Sequence, residues 1–282
     1  VLFRGFGINT VGLFEGFAKA ICSDLYGDYG DLPEEKGDVY KSTPYPEDKA
    51  ILFHNESSHM ESWPTKQFFC CLKAAEERGE TPIIDCRKVY KTLDANIVRN
   101  FEEKKLIYIR NFVEGLDVPW EHFFHTEDKS TVEAHCRGKG IDFEWTENNG
   151  LRLRQLAPGV ITHPKTGQKS FFNQVQLHHP FFLDKETRDS MSALFSEDQF
   201  PRNVTYGDGT PIEDSVMDEI LNTYWDNCVH HAWQEGDVVM LDNMISAHAR
   251  NPYKGTRKII VALAELTRLS EIENAVDAIP AD

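Results

Sequence analysis

Ala50-Ile51-Leu52-Phe53-His54-Asn55-Glu56 is the stretch that decides the reading of this chain. A short apolar run of this kind reads as a buried strand, and it ends in a histidine and a glutamate two positions apart. Residues i and i+2 of a strand share a face. His54 and Glu56 are therefore expected to aim an imidazole and a carboxylate at one point. A third ligand from elsewhere would complete a 2-His-1-carboxylate facial triad, which leaves open positions on a metal and marks non-haem Fe(II) oxygenases. His-x-Glu alone is a weak signal among 11 His and 46 acidic residues, so its weight comes from context.

That context is the tail Leu241-Asp242-Asn243-Met244-Ile245-Ser246-Ala247-His248, followed by Arg257-Lys258-Ile259-Ile260. An apolar strand ends in Asp-Asn, His248 is expected in the loop behind it, and basic residues open the next strand. An arginine near a metal can clamp the far carboxylate of a chelating oxo-acid as a bidentate pair. Arg257 and Lys258 both stand where that strand opens.

Working outward, Val1–Arg4 reads as a short strand and Thr10 to Leu25 as an amphipathic helix with Val11, Phe14, Phe17, Ala18 and Ile21 on one side. Asp28–Asp48 is a polar, acidic loop. Gln67–Leu72, Pro82–Cys86 and Leu106–Arg110 read as strands, with a helix over Arg87–Glu103 and another opening at Trp120. Beyond residue 140 the texture turns to short strands (Ile141–Trp145, Leu151–Gln155, Gly159–His163, Ser170–Gln174) separated by turn residues. A helix from Pro211 to Cys228 and two core strands, Asp237–Leu241 and Lys258–Leu266, complete the pass. The expected fold is α+β: a double-stranded β-helix, or jelly roll, with helical insertions. Although 282 residues would allow two domains, the chain reads as a single domain over 1–282.

Together these residues resemble the taurine-dioxygenase-like Fe(II)/2-oxoglutarate-dependent oxygenases, nearest the branch containing clavaminate synthase and the aspartyl hydroxylase of syringomycin biosynthesis. The resemblance runs along most of the chain. It covers the early strand Val1-Leu2-Phe3-Arg4-Gly5-Phe6, Ser42-Thr43-Pro44-Tyr45-Pro46 before the metal strand, and His54-Asn55-Glu56. It continues through Gly79-Glu80-Thr81-Pro82, the hairpin made by His163-Pro164-Lys165-Thr166-Gly167 and Phe171-Phe172-Asn173-Gln174, and then His248 and Arg257. It implies Fe(II) on His54, Glu56 and His248, with 2-oxoglutarate chelating the metal, its far carboxylate on Arg257 and Thr81, and Lys258 as an open alternative to Arg257. O2 is the oxidant, and a C–H bond of a nearby substrate is hydroxylated as succinate and CO2 form. Because Glu56 fills the position a halide would need, the resemblance implies hydroxylation and not halogenation. The implied substrate is amino-acid-like, free or tethered to a carrier protein, in natural-product biosynthesis.

The charge balance narrows the partners. Thirty Lys+Arg against 46 Asp+Glu give a net charge of −16, which argues against nucleic acid and against anionic membranes. It also sits uneasily with docking of an acidic carrier protein, for which Arg137-Gly138-Lys139 and Arg152/Arg154 are the candidate basic patches. No stretch is long enough to span a membrane. Six cysteines are too sparse for a disulfide scaffold, and a cytoplasmic location is expected. The chain starts at Val1 without a methionine, so native N-terminal residues are expected to be missing.

Candidate substrate contacts are Asn55, Arg154, Asn173 and His178. Arg152 and Arg154 share a strand face and could hold a carboxylate, although exposed edge charges are the plainer reading. His59 is expected in a loop beside the site, His230-His231 at a helix end, and the Asp28–Asp48 loop as a solvated face or a lid. Two other function classes compete with the oxygenase. A cupin-type metal-dependent hydrolase or isomerase would need neither Arg257 nor Thr81. A non-catalytic binding protein would not need an intact triad.

Overall fold

Alternation builds the main sheet. The strand Ser62–Lys73 places Phe68 and Cys70 on one face and Phe69 and Cys71 on the other, and Lys258–Arg268 beside it does the same with Ile260 and Ala262 against Ile259 and Val261. Both faces are apolar because both are covered. The first packs under the helix Val11–Ile21 through Phe14 and Ala18, and the second faces the interior with Leu241, Leu263 and Trp233. Thr10 starts that helix as its N-cap, its hydroxyl accepting from the Leu13 N–H at 3.3 Å. The computed structural model describes residues 1–27, 34–113 and 116–277.

This sheet has six strands, ordered Leu2–Phe3, Val238–Asp242, Ser62–Lys73, Lys258–Arg268, Val39–Lys41 and Glu34–Lys36, and each named pair is antiparallel. Two more sheets frame the interior. One orders Arg202–Tyr206, Leu106–Phe112, Leu151–Ala157 and Asp142–Trp145. The other lays Ser246–Arg250 between Ile51–His54 and Ile83–Asp85. Phe53, Ile84, Ala247 and Ala249 of this small sheet pack on the helices Cys86–Thr92 and Asp214–Asn227 through Val89, Met217, Ile220 and Tyr224. The hairpin Val160–Thr162 with Lys169–Phe171 falls where the turn residues put it. The architecture is α+β, with helices outside and antiparallel sheets inside.

Several expectations change. The segment expected as one helix over 87–103 is two helices, Cys86–Thr92 and Ala95–Lys104, because Asp94 caps the second, its side chain accepting from the Asn96 N–H at 2.8 Å. His248 does not follow a strand in a loop; it lies on the strand Ser246–Arg250. Ser-Ala-His-Ala-Arg has little strand propensity of its own. It is held extended by neighbours on both sides, with Ala247 and Ala249 completely buried or nearly so. The Asp28–Asp48 region contains the short strands Glu34–Lys36 and Val39–Lys41; its first part, 28–33, lies outside the described residues.

Candidate active site

The pairing of the small sheet builds the metal-ligand set. His248 is the cross-strand partner of His54 on one side and of Ile83 on the other. The two imidazoles lie 4.2 Å apart between ring centroids. Glu56 joins them, and the nearest ligand atoms of the three all fall within 4.8 Å of one another. The strand expected to carry His54 and Glu56 on one face stops at His54. Glu56 sits in the following turn, where Ser57 adopts a left-handed φ of 56°, so the turn and not strand periodicity aims the carboxylate.

That turn is pinned by two buried amides. Asn243 accepts from the Glu56 N–H at 2.7 Å and donates to the Glu56 and Pro64 carbonyls at 3.0 and 2.9 Å. Asn55 donates to the Asn243 carbonyl at 2.8 Å and accepts from the Asn173 N–H at 3.2 Å. Gln67, from the main sheet, donates to Glu56 Oε2 at 2.9 Å. The sequence reading missed Gln67 and Asn243, although Asn243 belongs to the quoted Asp-Asn. The donor chemistry fits a divalent metal. His54 Nδ1 is taken by the Leu52 carbonyl at 2.8 Å, which orients the ring and leaves Nε2 for coordination. His248 Nδ1 is buried with no hydrogen-bond partner among the described residues, an orphan that native interiors rarely keep. Burial, followed by the nearby His54, holds His248 well below the usual imidazole range, hence neutral, as a ligand must be.

A narrow inner chamber of about 40 Å³ opens beside the triad, lined among others by Thr81, Arg250 and Arg257, with Phe69, Ile259 and Val261 as apolar wall. Thr81 and Arg257 are thus brought together with His54, Glu56 and His248. Thr81 Oγ1 accepts from the Trp233 indole N–H at 3.2 Å, so its own O–H remains to donate. The Arg257 Nε donates to the Gly79 carbonyl at 3.0 Å, and among the described residues no carboxylate pairs with it. Desolvation, then Arg250, lowers its pKa to about 10; it is still a cation at neutral pH. Gly79 has to be glycine here: its φ is +78°, and a Cβ would stand 3.0 Å from Tyr253 Cβ and 3.2 Å from Arg257 Cδ. Lys258 is not the alternative cation, because it points outward to Glu35 at 2.6 Å. Arg250, absent from the sequence reading, donates to the carbonyls of Tyr45, Pro46 and Lys49 at 3.1, 2.5 and 2.6 Å, fastening the segment whose Ser42 and Thr43 line the chamber.

A wider outer chamber of about 320 Å³ shares His54 and Glu56 with the inner one. His178 is brought there, beside His59, Tyr108 and Gln174. Gln174 hydrogen-bonds His59, its carbonyl meets His178 Nδ1 at 3.3 Å, and its N–H donates to Tyr108 Oη at 3.0 Å. The other expected substrate contacts are placed elsewhere. Asn55 is wholly buried in the turn network, and Asn173 is 2% exposed with its amide on the Gly159 carbonyl at 3.2 Å. Arg154 and Arg152 occupy the outer face of Leu151–Ala157, with Glu144 at 3.5 and 3.8 Å, while Leu153 and Gln155 face the chamber. Arg137 of the other candidate basic patch pairs with Glu133 at 2.8 Å.

Comparison with known proteins places this geometry in context. Residues 1–263 match the family described as taurine catabolism dioxygenase TauD, TfdA family. The chain is 35% identical over 277 residues to the dapdiamide synthesis protein DdaC of Enterobacter agglomerans, covering 97% of this chain and 84% of that protein. It is 29% identical over 278 residues to a clavaminate synthase-like protein of Arabidopsis thaliana, covering 94% and 81%. Its fold is similar to the crystal structure of AAD-2 in complex with Mn(II) and N-oxalylglycine, at a TM-score of 0.53 and 16% identity, over 95% of this chain and 82% of that one.

Two outcomes are expected. Removing the amide that steadies Glu56, in Gln67→Leu, should weaken metal binding about 10–100-fold, read by titrating Mn(II) against the folded protein; unchanged affinity would show that Gln67 does not position the ligand. His59 and His178 are both held neutral, chiefly by desolvation, then by charged neighbours, and His59 is pushed down to about 3. Their unfolded forms protonate near the ordinary value of 6.5. Stability that is complete above that pH is therefore lost as the pH falls from there toward about 3. Denaturant titrations of His59→Gln should give a shallower acid slope than wild type.

Proposed function

Since the chain belongs to the TauD, TfdA family of dioxygenases and is an Fe(II)- and 2-oxoglutarate-dependent enzyme, we propose that it hydroxylates an unactivated C–H bond of a small amino-acid-like substrate in a biosynthetic pathway. The overall reaction is 2-oxoglutarate + O2 + R–H → succinate + CO2 + R–OH. The observation that carries the reading is the convergence of two imidazoles, one carboxylate, Thr81 and a half-buried Arg257, which has no carboxylate partner among the described residues, on one chamber. The dapdiamide synthesis protein at 35% identity supports a biosynthetic setting.

His54, Glu56 and His248 would hold the iron, and the bound metal with its cosubstrate supplies the oxidising power for C–H cleavage. The remaining work belongs to the chain. Arg257 takes the far carboxylate of 2-oxoglutarate as a charge-assisted pair, and the Thr81 hydroxyl donates to the same group. Gly79 sets the Arg257 stem by accepting from its Nε. Phe69, Ile259 and Val261 keep water from the cosubstrate. The outer chamber presents the substrate to the His54–Glu56 side. With iron bound, Glu56 would fill the place a halide would need, which supports hydroxylation over halogenation. A cupin-type hydrolase or isomerase using the same ligands leaves Arg257 and Thr81 without a task.

We read the interleaved sheets as a jelly roll and the chain as one oxygenase domain. All six cysteines are free thiols, and burial pushes those of Cys70 and Cys71 up to about 12, which supports a reducing compartment such as the cytoplasm. No described helix is long and apolar enough to cross a membrane. The pairing of Arg137 and Arg154 with the chain's own acids supports a free substrate over one delivered by a carrier protein.

Succinate release from 2-oxoglutarate with Fe(II), O2 and ascorbate tests the reading. Wild type should release succinate, and His248→Ala should release none above background. Arg257→Ala should raise the KM for 2-oxoglutarate at least about 30-fold, the effect of truncating one partner of a buried charge pair at ~2 kcal/mol or more. No succinate from metal-loaded wild type, or a chlorinated product when chloride is supplied, would overturn it.

A further inference from the structure

The charges on the outer chamber's own wall point to a binding site for the substrate. Arg110 on Leu106–Phe112 and Arg202 on Arg202–Tyr206 are direct cross-strand partners, and Leu153 of the next strand completes their row. All three line the outer chamber. Of the two arginines, Arg202 is exposed where it lines the chamber. Arg110 is already engaged, with Asp117 at 3.1 Å and its guanidinium over the Phe112 and Phe123 rings at 4.6 and 4.2 Å. Arg202 has no hydrogen bond or ion pair to any other described residue. His59 and His178 line the same chamber, and the charge of Arg202 opposes their protonation. Met60, Phe123, Phe124, Ile141 and Leu177 make the wall between this row and the end formed by His54 and Glu56.

We propose that Arg202 binds a free carboxylate on the substrate, so that the substrate is an amino-acid-like acid spanning the chamber from Arg202 to the triad. This deepens and rests on the oxygenase reading above. A planar guanidinium fork matches a carboxylate in bidentate geometry, and the apolar wall suits the stretch between that anion and the reacting C–H. An acyl group tethered to a carrier through its carboxyl as a thioester has lost that anion. Arg202 therefore favours a free acid.

The test separates this proposal from the reading beneath it by two successive titrations. Protein is first loaded with Mn(II) and N-oxalylglycine, an isostere of 2-oxoglutarate, to fill the inner chamber. Failure of the wild-type protein to load speaks against the metal and cosubstrate reading, which is a separate result. The loaded protein is then titrated calorimetrically with N-benzoylglycine and with its neutral carboxamide. Wild type should bind the carboxylate at least about tenfold more tightly than the amide, as expected for hydrogen bonds to a charged group. Arg202→Gln should remove that preference by weakening the carboxylate alone, and Arg202→Lys should keep part of it. Arg154→Gln, on the outer face of the same sheet, should match wild type. Equal binding of the two probes by wild type, no binding of either, or a carboxylate preference that survives in Arg202→Gln would overturn the proposal.

Discussion

The site depends on one piece of strand pairing. Ser246–Arg250 lies hydrogen-bonded between Ile51–His54 and Ile83–Asp85, and this single register sets His248 opposite His54 and Thr81 just ahead of Ile83. A shift of one residue would turn every side chain on the central strand to the other face. His248 would then enter the helix-packed core now filled by Ala247 and Ala249, and the two alanines would face the metal. The register is held because those alanines are the small groups that fit beneath the helices. An irregularity opposite His248 and Arg250, where the neighbouring strand carries an extra residue, lets His248 and Arg250 serve different parts of the same chamber. Bulges next to active sites do this in other sheets.

The carboxylate ligand answers to a different constraint. Glu56 stands beyond the end of its strand, so no ladder fixes it. Its place is taken from Asn55 and Asn243, whose amides satisfy backbone groups of both segments in a dry interior. Unpaired polar groups there would cost about 1–3 kcal/mol each. The side chain between the two ligand residues is therefore a structural pin, and the ligand geometry inherits the rigidity of the main sheet through Gln67. Two sheets and a turn are tied to one another at the point where a metal needs ligands held in place.

How much of this was legible in the sequence follows from what each residue leans on. His54, Glu56, His248, Thr81 and Arg257 were readable because each sits in a short motif with ordered neighbours. The main sheet was readable because Phe68 to Leu72 and Ile259 to Leu263 are apolar and extended by composition. The strand under His248 was hidden, since two alanines carry no strand signal and tertiary contacts alone hold it extended. Asn55 and Asn173 looked like pocket residues because an asparagine near a ligand does not reveal whether its amide turns to substrate or to backbone. Arg152 and Arg154 were noticed for their spacing, but spacing fixes only that two side chains share a face, not which face is inward. Arg202 was missed with its strand, although Val204 and Tyr206 alternate between Pro201 and Gly207 in the pattern of a short strand.

The overall charge and the local charge act at different ranges. A net charge of −16 weakens attraction for anions at a distance, but salt screens that field over about 8 Å at physiological ionic strength. Inside the chambers the balance reverses. Arg250 and Arg257 stand with backbone carbonyls and a tyrosine ring as neighbours, and Arg110 and Arg202 share a row on the sheet. Most cations on the surface are matched, as Lys258 is by Glu35 and Arg154 by Glu144. Asp117 holds Arg110 at 3.1 Å, but among the described residues no carboxylate pairs with Arg202, Arg250 or Arg257, and desolvation of the half-buried Arg257 strengthens whatever counter-charge enters beside it. The acidic shell therefore sets no preference for the ligand. On the oxygenase reading, selection of an anionic cosubstrate falls to Arg257, a guanidinium that no described carboxylate matches.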